Sequence, residues 1–65
     1  MNKLKVVRLN KGFTQRHIAK LVGIQENSYQ RYEYDVRVPD ARTAIRIAKA
    51  LRTTVEDLWG SNLTA

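Results

Sequence analysis

Gly23 divides the stretch TQRHIAKLVGIQENSYQRYE, Thr14 to Glu33, into two short segments of helical periodicity, and no other feature constrains the fold as much. In the first segment Ile18, Ala19, Leu21 and Val22 form the inner side of a helix over Gln15 to Val22, with Thr14 as its N-cap. A glycine just past a helix end supplies the left-handed conformation that other residues adopt only at a cost, so the next helix can begin after a very tight turn. Ile24 then plugs the corner. A helix from about Gln25 has only Tyr29 and Tyr32 as an inner stripe, which leaves Asn27, Ser28, Gln30 and Arg31 outside it. A helix that gives so little to a core faces water or a partner.

The rest of the chain continues in helices. Asn2 caps a first helix running to about Lys11, with Leu4 and Val7 sharing a face with Arg8 and Lys11, and Gly12 ends it. Tyr34 to Pro39 has low helical character, because Pro39 pushes Val38 into an extended conformation. Asp40 caps a fourth helix whose buried stripe is Ala41, Ala44, Ile45, Ile47, Ala48 and Leu51. Thr54 caps a fifth containing Val55, Leu58 and Trp59, with Glu56 and Asp57 at its positive end. Gly60 closes it, and residues 61–65 read as a tail. With no alternating strand and no repeat, the fold class is all-α: five helices in one domain spanning 1–65.

At 65 residues, a domain buries only roughly 60% of its unfolded surface, so no second domain is expected. There is no cysteine to form a disulfide or thiolate site, and the lone His17, which faces solvent in this reading, cannot build a metal site from imidazoles. No apolar run is long enough for a signal or membrane span, which makes the cytoplasm the expected compartment and excludes a membrane partner. The net charge of +6 attracts polyanions, and its spread over the chain indicates a folded basic surface rather than a basic tail.

Four stretches in order, KGFTQRHIAKLVGI, ENSYQRYE, VPDARTAIRIAKAL and TTVEDLW, resemble the helix-turn-helix domain of phage repressors, the Cro/cI or xenobiotic-response-element family of transcriptional regulators. The resemblance runs from Leu4 to Trp59. It implies a compact five-helix, lambda-repressor-like domain whose helix-turn-helix motif spans about 15–34, with the second motif helix in the major groove of double-stranded DNA. The base-reading positions then fall on Gln25, Glu26, Asn27, Ser28, Gln30 and Arg31. These residue types suit contact with base edges, since amides pair with adenine, a carboxylate accepts from cytosine, and arginine reaches guanine or a phosphate. By the same resemblance Gln15 binds phosphate and braces the reading helix, Arg37 and Arg42 contact the DNA backbone, and Arg8 and Glu33 form a structural ion pair. Lys11, Arg16 and Lys20 are weaker phosphate candidates. The sequence departs from the family at Asp35 and Arg52, where glycine is usual. It also has alanines at Ala41 and Ala44 for leucines, and tyrosines at Tyr29 and Tyr32 for isoleucines, a pattern of compensating volumes.

The implied function is that of a small bacterial or phage regulator, a repressor that binds an inverted-repeat operator as a homodimer and needs no cofactor. Leu58, Trp59 and Leu63 are the candidate dimer interface, although a wholly intramolecular place suits Trp59 equally well. With no sensor domain in the chain, control would come from concentration, an unidentified protein regulator or proteolysis. An antitoxin or a restriction-modification controller would use the same fold. An RNA module would expose stacking aromatics, and a membrane-surface helix would need a continuous apolar face; neither is found here. No nucleophile and base form a constellation, so an enzyme is not expected.

Overall fold

The computed structural model describes the backbone of residues 2–63 and the side-chain surroundings of residues 2–60. Its five helices are α1 (Leu4–Asn10), α2 (Gln15–Val22), α3 (Glu26–Glu33), α4 (Ala41–Ala50) and α5 (Val55–Leu63). Three of the expected caps form as side-chain bonds. Thr14 Oγ1 accepts from the His17 amide at 3.0 Å, Asp40 Oδ1 from Thr43 at 2.8 Å, and Thr54 Oγ1 from Asp57 at 3.0 Å. The Thr43 amide also holds the Asp40 carboxyl below the usual range. Asn2 takes part in a different way. Lys3 occupies the cap backbone position of α1, while Asn2 Oδ1 accepts from the Leu4 amide at 2.9 Å.

The turn between α2 and α3 closes mainly on the Ala19 carbonyl, with Gly23 N also donating to Lys20 O at 3.2 Å. Ala19 O accepts from Gly23 N at 2.9 Å and from Ile24 N at 3.0 Å, with Gly23 in the left-handed region at φ 85°. A Cβ on Gly23 would meet nothing within 4 Å, so the demand for glycine is conformational rather than steric. Ala19, buried in this corner, lets α3 start at once.

All five helices feed one core of Leu4, Ile18, Ala19, Val22, Tyr29, Ala44, Ile47, Ala48, Leu51, Leu58 and Trp59. Each of its large apolar side chains stabilises the fold by about 1.5–3 kcal/mol through removal from water. α5 is tied to the start of α1 by a bond from Lys3 N to Leu58 O at 2.9 Å.

Several expectations are corrected. Leu21 is 55% exposed: at about 100° per residue it lies roughly 100° from the centre of the arc that Ile18, Ala19 and Val22 share. Ile45, 47% exposed, lies as far from the centre of the Ala44, Ile47, Ala48 and Leu51 arc, and Ala41 is exposed at the edge of that arc. Ala41 therefore does not offset the volume of Tyr29; of the two alanines only Ala44 shares its core. Gly60 does not end α5, which continues to Leu63, so the tail does not start at 61. A Cβ on Gly60 would lie 3.1 Å from Glu56 Cγ, so glycine relieves crowding inside the helix. Leu58 and Trp59, 0% and 8% exposed, are buried in the protomer core, which leaves the Leu58 side chain no surface for a second copy. The Leu63 side chain lies outside the described residues.

The two positions that replace glycine both adopt left-handed backbone, Asp35 at φ 61° and Arg52 at φ 55°. Asp35 has a compensation. Asn2 Nδ2 donates to its Oδ1 at 2.8 Å and to Tyr32 O at 2.8 Å, linking the chain start to the end of α3. Arg52 is exposed and makes no such side-chain bond among the described residues. Left-handed backbone costs a residue with a Cβ roughly 1–2 kcal/mol, partly offset by the greater unfolded-state freedom of glycine. Arg52→Gly is expected to stabilise the domain by about 0.5–1 kcal/mol and raise its melting temperature by a few degrees, while Asp35→Gly gains nothing. Thermal unfolding of the two variants checks this, and an equal gain from both would contradict it.

Candidate nucleic-acid interface

α3 meets the protein along a narrow line. Tyr29 and Glu33 are buried and Tyr32 is half-buried; Gln25, Glu26, Asn27 and Arg31 are exposed, and Ser28 and Gln30 are half-buried. Gln25 provides the cap backbone at φ −72°, ψ 147°, and its carbonyl accepts from Tyr29 N at 3.1 Å, but its side chain caps nothing. The side chains of Gln25, Asn27, Ser28 and Arg31 make no hydrogen bond among the described residues, so they are free for an outside group.

Behind this face lies a buried ion pair. Arg8 Nε donates to Glu33 Oε2 and Nη2 to Oε1, each at 3.0 Å, while Nη1 donates to Phe13 O at 2.8 Å. All three guanidinium nitrogens are thus engaged, and the two side chains are only 9% and 1% exposed. Burial works against the Glu33 charge, but the bonds and charge of Arg8, with those of neighbouring donors, outweigh it and hold the carboxyl below the usual glutamate range. The bond to Glu33 raises the Arg8 pKa above its ordinary value. Burial, then proximity to Glu33, pushes the Tyr29 hydroxyl up; it lies close enough to feel the pair but makes no hydrogen bond of acceptable geometry.

Gln15 extends this pair to the surface. Its Nε2 donates to Glu33 Oε1 at 3.2 Å and to the Tyr34 hydroxyl at 3.4 Å, and its Oε1 accepts from Gln30 Nε2 at 3.2 Å. Gln30 Nε2 also donates to Glu26 Oε2 at 3.5 Å. Arg8, Glu33, Gln15, Gln30 and Glu26 form one connected polar chain across α1, α2 and α3. Arg37 and Arg42 are exposed and stand apart from that chain, Arg37 in the loop before α4 and Arg42 in its first turn near Asp40. Lys11, Arg16 and Lys20 are exposed, as is His17, whose ring meets Phe13 edge-on with centroids 5.0 Å apart. Sequence reasoning missed Tyr34 as part of this network and Asn2 as the separate tie to Tyr32 and Asp35. Their partners are distant in sequence or exposed, and helical periodicity carries no signal for either.

Among the described residues no group of three or more acidic or histidine side chains is placed to hold a metal ion, and no helix is long and apolar enough to cross a membrane.

The Glu33 environment sets an acid response. A carboxyl whose pKa is lower when folded than unfolded stabilises the fold above its unfolded value and loses that contribution as pH falls through the folded value. Glu33→Gln is expected to cost roughly 3 kcal/mol near pH 7, where it strands the Arg8 charge. The difference from wild type should narrow as pH drops below about 4.3. Urea unfolding across that range measures it, and a gap independent of pH would contradict the ion-pair assignment.

Residues 4–58 match the family model described as helix-turn-helix. The chain is 30% identical over 60 residues to the HTH-type transcriptional regulator ImmR of Bacillus subtilis (strain 168), covering 92% of this chain and 47% of that protein. It is also 30% identical over 56 residues to the SPbeta prophage-derived uncharacterized HTH-type transcriptional regulator YonR of the same organism, covering 86% of this chain and 52% of that protein. The chain thus spans about half the length of these relatives. With the matched region running from the start of α1 to Leu58 in α5, the chain belongs to the helix-turn-helix family, of the xenobiotic-response-element type.

Proposed function

We propose that this domain binds double-stranded DNA sequence-specifically, with α3 in the major groove, and acts as a small bacterial or phage transcriptional regulator, a repressor on an inverted-repeat operator. One observation carries the reading. The exposed side of α3 is made of amides, a carboxylate and an arginine that the core does not use, while Glu33 and Tyr29 on its other side fix its position. Gln25, Glu26, Asn27, Ser28, Gln30 and Arg31 are the base-reading set, and Gln15, Arg37 and Arg42 contact phosphate. The regulator names of the relatives, one of prophage origin, support the same class.

A homodimer belongs to the proposal, because a single unit of this kind reads about half an operator. Its contact surface does not use Leu58, which the core buries fully. No catalysis and no cofactor enter the proposal, and the reading places the protein in the cytoplasm with the DNA.

Selection of bound sequences from random duplex DNA, followed by titration at several salt concentrations, tests the reading. A short inverted repeat is expected. Asn27→Ala should then lower discrimination at one position by about tenfold, a loss of about 1.4 kcal/mol. Arg37→Ala or Arg42→Ala should weaken binding evenly across sequences and reduce the salt slope by about one. Recovery of no preferred sequence, with only weak salt-sensitive binding to any polyanion, would overturn it.

A further inference from the structure

We propose that the hydrogen-bond polarity of Gln30 is set from inside the fold, so that this residue offers DNA only an acceptor and reads the exocyclic amino group of adenine or cytosine. The inference rests on α3 being the base-reading helix. Its starting point is the Arg8–Glu33 pair. Glu33, bound by two guanidinium nitrogens, has no proton to give, so the Gln15 atom facing it at 3.2 Å must be the amide nitrogen. The Gln15 oxygen therefore turns the other way, toward Gln30. Only a donor can meet it there, and that donor is Gln30 Nε2 at 3.2 Å.

An amide nitrogen has two hydrogens. The second points to Glu26 Oε2 at 3.5 Å, the longest bond of the chain and one that a carboxylate favours electrostatically. Gln30 thus has a carboxylate at one end of its donor group and an amide oxygen, oriented by a second carboxylate, at the other. Reversing its amide would set oxygen against both. What remains is Gln30 Oε1, which accepts from no group among the described residues.

This excludes two familiar pairings. A bidentate amide contact to adenine needs an oxygen accepting from N6 together with an N–H donating to N7, and guanine presents acceptors at N7 and O6. With both hydrogens of Gln30 engaged, neither set can be met. The donors that the major groove offers are the adenine N6 and cytosine N4 amino groups. Glu26, acceptor-only and one turn earlier on α3, makes the same demand.

The test uses the whole chain and the duplex recovered by selection. Gln30→Ala identifies the base pair whose preference depends on this residue, and its thermal melt confirms folding. In wild type, replacing the amino-bearing base at that pair by its amino-free analogue, purine for adenine or pyrimidin-2-one for cytosine, should weaken binding by roughly five- to tenfold. Replacing the purine of the pair by its 7-deaza analogue should change nothing. The loss with the amino-free analogue should vanish in Gln30→Ala. Glu26→Ala frees one hydrogen and should make binding sensitive to the 7-deaza analogue. A Gln30-dependent loss from the 7-deaza analogue in wild type would overturn the proposal while leaving α3 as the reading helix, as would a Gln30→Ala variant with unaltered preferences. Failure of selection to return any sequence would instead overturn the DNA reading, and this proposal with it.

Discussion

The buried ion pair between Arg8 and Glu33 is the contact around which the motif is arranged. Arg8 reaches from α1 to the carbonyl of Phe13 and to both oxygens of Glu33, while Gln15 at the start of α2 donates to the same carboxylate. Three helices and the loop between the first two therefore share one charge centre. Burying two charges costs several kcal/mol each, and their attraction offsets that cost only when the geometry is good and the remaining hydrogen-bonding positions are filled. Here they are. The net contribution to stability is small by that accounting; the pair's larger effect is to make any displacement of α3 relative to α1 and α2 costly.

The apolar core acts alongside the pair. α3 gives it one fully buried tyrosine and one half-buried one, so the helix is held by few contacts and keeps most of its surface free. An eight-residue helix has little stability of its own in water, and its order comes from Tyr29 inside, Glu33 at its end, and the tight Gly23 turn before it. The same economy explains the asymmetry of α3: the residues with inward contacts specify position, and the outward amides are free to specify a partner. Gln30 belongs to both groups, which is why its outward chemistry follows from an inward bond.

Local features were legible in the sequence. Caps at Thr14, Asp40 and Thr54 and the left-handed turn at Gly23 follow from chemistry within a few residues, and the structure shows each of them. The family spacing marks Asp35 and Arg52 only as positions where glycine is usual; that both keep left-handed backbone required the fold. Leu21, Ala41 and Ile45 were misplaced because a short helix buries a narrow arc, and apolarity alone does not say where that arc is centred. Trp59 was ambiguous for a related reason: an apolar residue near a chain end suits a core or an interface equally until its neighbours are placed. The links from Asn2 to Tyr32 and Asp35 and from Gln15 to Gln30 join residues far apart in the chain, and no periodicity encodes them. The candidate reading positions were named from resemblance, while the bonding that distinguishes Gln30 from Asn27 required the fold.

If the ion pair serves orientation more than stability, the two properties should separate when it is replaced by apolar side chains of similar volume. The most direct measurement is on the double variant Arg8→Met with Glu33→Leu: its unfolding free energy, together with its affinity for the selected duplex relative to unrelated DNA. The expected result is stability within about 1 kcal/mol of wild type or above it, with the affinity ratio reduced by at least about tenfold. A folded double variant that keeps the wild-type ratio would contradict the orienting role of the pair.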